Sequence, residues 1–161
     1  MIMPALTLPF SLIDDVQFAQ KNLDNFFTSL PGVNEGRFAP VFWAYFVGRF
    51  YIAGHNPLGH HLIHSGLIIT ICGLLYLLVK RKTGSSLAGV ITGLWFIFLA
   101  PGWESWYRLS TQEPIQCLFF LLFWLSLTKT KINLWLSGIL GMLLLLTKET
   151  SAVLLIPLLL P

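Results

Sequence analysis

The chain has 161 residues, 55% of them hydrophobic and 11% charged, with a mean hydropathy of +0.74. A soluble domain carries about 25% charged residues, so this composition cannot cover a water-facing surface and lipid is the expected solvent for much of the chain. The formal net charge is only +3, and no basic stripe points to nucleic acid.

In lipid, each backbone polar group must be satisfied within its own segment, which only helices and closed barrels achieve. The apolar runs are continuous and rich in Leu, Ile and Phe, without the alternation of a barrel strand. The expected fold is therefore all-α, a polytopic transmembrane helical bundle. The opening MIMPALTLPF holds two prolines and no basic residue, so it does not read as a cleavable signal peptide.

Residues 1–56 read as an extracytoplasmic loop carrying an interfacial amphipathic helix over 39–53. Arg49 argues against a span there, because an arginine at mid-membrane costs about 2.5–3.5 kcal/mol. Within this region Asp14-Asp15 fits either a solvated helix cap or a general base whose proton affinity is raised by its neighbour. Arg37, between Gly36 and Pro40, fits either a turn or an anion contact at the membrane face.

Residues 57–161 read as the transmembrane region. The first span, 57–79, opens with His60, His61 and His64 and stops at Lys80-Arg81-Lys82. His60 and His64 are spaced to share a helix face, but no cysteine or carboxylate nearby completes a metal site. A place as interfacial polar residues, or contacts to a phosphate headgroup, suits the three histidines better, and no metal is expected. Further spans are expected at 87–101, 114–128 and 132–147. Cys72 and Cys117 lie inside apolar runs and read as small apolar residues rather than a disulfide. The last segment, 150–161, is apolar and simply stops, so the sequence reads as truncated, either a fragment or a misread reading frame.

The basic cluster at 80–82 places its loop on the cytoplasmic side, and Lys129 and Lys131 agree. The loop 102–113 and the Lys148-Glu149 turn then face outward. Lys148 and Glu149 interrupt two apolar runs, which suits either a mutual pair marking a turn or a functional site. Glu104, Arg108 and Glu113 lie among Trp103, Trp106 and Tyr107, a mixture that fits sugar binding or an aromatic membrane belt.

The order of these motifs carries a resemblance. Asp14-Asp15 is followed by Gly36-Arg37-Phe38 and Pro40. Next come Gly54, Asn56, Pro57, His61 and Leu62 opening a long span, and finally Thr147-Lys148-Glu149-Thr150 after an apolar helix. This order resembles the GT-C superfamily of integral membrane glycosyltransferases, nearest the protein O-mannosyltransferase-like and polyprenyl-phosphate-sugar-dependent branches. Two positions, His64 and Ile68, depart from the family pattern, and the first helix that usually precedes the acidic loop is missing.

The resemblance implies a hexosyltransferase acting on the extracytoplasmic face of a cell membrane, with the fragment by itself inactive. Asp14 or Asp15 would be the catalytic base. Arg37, His61, Lys148 and Glu149 would contact substrate or lipid phosphate. The donor would be a polyprenyl-phosphate sugar, used as substrate without a further cofactor, and the acceptor a protein or glycan hydroxyl. A transporter or flippase, or a non-catalytic membrane protein, is the alternative.

Overall fold

The computed structural model describes residues 39–99, 108–128, 133–148 and 150–154. They form five helices and a short helical turn at 151–154, with no strand among the described residues. The fold is all-α.

Helix α1 spans Pro40–Ala53, with its proline in the first turn, where the missing N–H is not needed. It ends at Gly54, whose φ of 57° suits a residue without a Cβ. Asn56 then starts helix α2, Pro57–Thr83, by accepting the Leu58 N–H at 3.1 Å. Gly84, in the left-handed region at φ 72°, ends α2. Lys80, Arg81 and Lys82 belong to its last turn, where cations offset the negative end of the helix dipole. The basic run predicted to stop the helix is therefore its final turn.

Ser85 caps helix α3, Ser86–Phe98, by accepting from Ala88 N–H at 3.2 Å. Helix α4 covers Glu113–Leu127 and begins with an acid and a proline. Helix α5 covers Leu134–Leu145, with Asn133 accepting from Leu136 N–H at 3.1 Å.

Packing runs through α2, which contacts α1, α3 and α4, while α5 packs on α4. In the α2–α3 pair Tyr76 faces Gly89 and Cys72 faces Gly93. One number rises as the other falls, so the two helices are antiparallel. A Cβ on Gly89 would sit 2.7 Å from the Tyr76 ring and 2.9 Å from its carbonyl oxygen, so the approach requires glycine. The α4–α5 pair is antiparallel by the same reasoning. Phe123 faces Gly141, and the Ser126 and Ser137 hydroxyls bond at 2.8 Å.

The main core joins Ile68, Ile71 and Leu78 of α2 to Leu121 and Leu125 of α4. A second cluster is aromatic and belongs to α1: Phe42, Trp43, Phe46 and Phe50. At 27 residues α2 is long and apolar enough to cross a membrane, while α3, α4 and α5 are shorter apolar helices of 12–15 residues.

Candidate functional site

The buried face of α2 changes character along its length. His60, His61 and His64 share a stripe with Ile68, Ile71 and Leu78, as helical spacing requires. The first turns of that stripe are imidazole and the rest is hydrocarbon. All three histidines are at most 2% exposed.

Helix α1 lies against this polar beginning. Its buried face carries Phe42, Trp43, Phe46, Arg49 and Phe50. The Val41 N–H donates to the Leu146 carbonyl at 3.2 Å, fixing the start of α1 to the end of α5. Arg49, near its other end, is 2% exposed. The helix thus links the end of α5 to the beginning of α2.

A charge this deeply buried needs hydrogen bonds. Arg49 Nη1 donates to the Leu109 carbonyl at 2.9 Å, and Nε donates to His60 Nδ1 at 3.4 Å. The guanidinium carbon also lies 5.3 Å from the Tyr45 ring centroid and 5.4 Å from that of Phe46, within cation–π range. Because guanidinium has no acceptor, His60 must offer Nδ1 as its lone pair. Its proton then sits on Nε2 and is donated to the Gly54 carbonyl at 2.9 Å. Phe50 packs on the His60 ring with centroids 4.6 Å apart. The result is a junction of α1, the α1–α2 turn, α2 and the segment before α4.

The chain matches no family model, no curated protein and no solved structure. The chemistry of this end must therefore be read from its residues.

Next to the junction, α4 meets the segment after α5. Lys148 Nζ lies 2.5 Å from Glu113 Oε1, in a partly exposed ion pair. Three residues along α4, Gln116 Nε2 donates to Ser151 Oγ at 3.0 Å and to Thr150 Oγ1 at 3.3 Å. Thr147 and Ser151 are fully buried. Burial by itself disfavours the charged Glu113 carboxylate. The Lys148 hydrogen bond, a backbone hydrogen bond and the charges of Lys148 and Arg108 outweigh it, holding this carboxyl below its ordinary range.

Of the residues that the resemblance assigns to the site, His61 and Lys148 are described. His61 lies on the buried stripe of α2, and Lys148 lies in the polar cluster at the same end of the bundle. Asp14, Asp15, Arg37 and Glu149 lie outside the described residues. The Lys148 ammonium reaches across to Glu113, 35 positions away in sequence. Among the described residues no three metal-ligating side chains gather.

Sequence reasoning treated Arg49 only as an obstacle to insertion and passed over Gln116. One signal was available. No Asp or Glu occurs between Glu35 and Glu104. No helix formed there can neutralise a cation with a carboxylate of its own, and Arg49 settles on a carbonyl, an imidazole and aromatic faces.

Proposed function

We propose that the chain is the membrane-embedded helical part of a glycosyltransferase that uses a polyprenyl-phosphate sugar and reacts at the histidine end of α2. The observation that carries this reading is the segregation of polar groups. Arg49, three buried histidines and the Glu113–Lys148 pair collect at one end of the bundle, whereas the buried face of α2 beyond them is Ile68, Ile71 and Leu78. Buried ionisable groups in an apolar setting are expensive, and they mark sites by default.

In this reading the helices cross the bilayer several times. The histidine end is extracytoplasmic and the Lys80-Arg81-Lys82 end is cytoplasmic. Asp14 or Asp15 removes the acceptor hydroxyl proton. The acceptor oxygen bonds to the sugar anomeric carbon as the bond from that carbon to the phosphate oxygen breaks. The pair of electrons leaves on the polyprenyl phosphate, whose growing charge needs cations nearby. Arg37 and Lys148 are the cations assigned to it, with His61 and Glu149 assigned as further contacts to substrate or lipid phosphate. Lys148 suits the task because a partly exposed ion pair is worth only about 0–1 kcal/mol, whereas charge-assisted contacts to phosphate are strong.

The test is transfer of labelled sugar from polyprenyl phosphate in membranes containing the whole enzyme of which this reading makes the chain a part. D14N or D15N is expected to abolish transfer at unchanged protein abundance. Near-normal transfer in both single variants and in the double variant would remove the catalytic reading.

A further inference from the structure

We infer that the turn between α2 and α3 is a docking surface for the headgroups of anionic phospholipids, an inference that rests on the membrane reading above. Lys80, Arg81 and Lys82 form the exposed last turn of α2. From Gly36 to Trp103, a stretch that includes all of α1, α2 and α3, the chain contains no Asp or Glu. No carboxylate of α1, α2 or α3 can therefore neutralise these three cations. Lys80 is steered by its own helix: its Nζ lies 3.3 Å from the Tyr76 hydroxyl and 5.5 Å from the ring centroid.

The surface next to the cations decides the partner. Leu77 on α2 and Leu87, Val90 and Ile91 on α3 are all exposed, the last three beginning within one turn of Gly84. A cationic rim bordering an apolar surface is complementary to a bilayer edge, where anionic headgroups sit over acyl chains. Length agrees. At about 1.5 Å per residue α2 is about 40 Å long, against an apolar core of about 30 Å. Its basic turn therefore reaches headgroup level when its histidine end approaches the opposite surface.

Juxtamembrane Lys and Arg contribute about 1 kcal/mol each at an anionic surface, or roughly fivefold in affinity per residue. The experiment is native mass spectrometry of the full chain in neutral detergent, titrated with phosphatidylglycerol or phosphatidylcholine. The chain is expected to retain phosphatidylglycerol preferentially. K80Q/R81Q/K82Q should weaken that retention about a hundredfold, while K80R/R81K/K82R keeps it. If the triple neutral variant aggregates, R81Q alone should weaken retention about fivefold. Equal retention of the two lipids, or no effect of the neutral variants, would overturn the inference. So would displacement of phosphatidylglycerol by equimolar inorganic phosphate or a polyglutamate peptide. Carbonate extraction of membranes separates the two ideas. A chain that stays in the pellet yet shows no headgroup preference defeats this inference alone. A chain released into the supernatant defeats the membrane reading as well.

Discussion

The two ends of α2 both carry nitrogen cations or bases, and the fold treats them in opposite ways. At the N-terminal end His60, His61 and His64 are buried, His60 against Arg49 and Phe50 of α1, and Arg49 is enclosed by a carbonyl, an imidazole and two aromatic rings. At the C-terminal end Lys80, Arg81 and Lys82 are exposed. The first end is closed by hydrogen bonds among polar groups. The second is closed by backbone approach, where Gly89 lets α3 rest on Tyr76. The difference separates two uses of positive charge. A buried cation with fixed partners organises local structure and a site, whereas an exposed cluster addresses whatever lies outside.

The sharpest way to break this comparison is to remove Arg49. Arg49→Met keeps an unbranched apolar stem but deletes both donors, leaving the Leu109 carbonyl and His60 Nδ1 without their guanidinium. Hydrogen bonds to charged groups are worth about 1.5–3 kcal/mol each. A loss of about 3 kcal/mol is expected in denaturant titration of the purified protein. Arg49→Lys should recover only part of it, because one ammonium cannot reproduce the planar fork. Unchanged stability of Arg49→Met would show that the histidine end is held by its aromatic packing instead.

The opposite end gives the next largest effect. Gly89→Ala places a methyl group against the Tyr76 ring and its carbonyl oxygen. The ring can turn aside, but the carbonyl belongs to the helix. Overpacking of this kind costs about 1–3 kcal/mol. Gly73 lies on α2 and a Cβ there meets nothing within 4 Å. Gly73→Ala should therefore stabilise by up to about 1 kcal/mol through helix propensity. Stabilisation by both variants would argue that propensity, not close approach, governs this helix pair.

Much of this architecture is visible in the sequence because its signals are local. Pro57 after Asn56, Ser85 before Ser86 and the apolar runs locate the helices within a few residues. The span read as 57–79 runs to Thr83, since lysine and arginine are good helix formers and favourable at the C-terminal end. The span read as 87–101 is observed from Ser86 to Phe98, starting at the Ser85 cap. The partners of the ionisable residues are not visible. Arg49 finds its carbonyl 60 positions away and Lys148 its carboxylate 35 positions away. Periodicity within one helix cannot reveal that the start of α4 meets the segment after α5. His61 was legible as a residue of interest from its motif, but its burial depends on α2 being the helix that the others pack against. The acidic pair Asp14-Asp15, with Arg37 and Glu149, lies outside the described residues, so their proposed roles rest on motif order.

The smallest expected effect distinguishes the two ends by pH. Glu113 has a carboxyl held below its ordinary range in the folded chain: burial raises it, but the Lys148 hydrogen bond, a backbone hydrogen bond and the charges of Lys148 and Arg108 together outweigh that penalty. A group whose folded pKa is depressed stabilises the fold at pH values above its unfolded pKa, about 4.3 for glutamate. That contribution is lost as the pH falls through the lower, folded value. The pair is partly exposed, so its contribution is at most about 1 kcal/mol. Thermal melting from pH 7 to pH 3 should show the chain more stable than Lys148→Met by a nearly constant margin down to about pH 4.5, and a shrinking margin below it. A margin that grew on acidification would mean that Lys148 is held by something other than the Glu113 carboxylate. The same scan applied to K80Q/R81Q/K82Q should give a flat difference, because the α2–α3 turn has no carboxylate of its own to titrate. A pH-dependent difference there would bring an acidic group to the basic end, and the contrast between a paired end and an open end would fail.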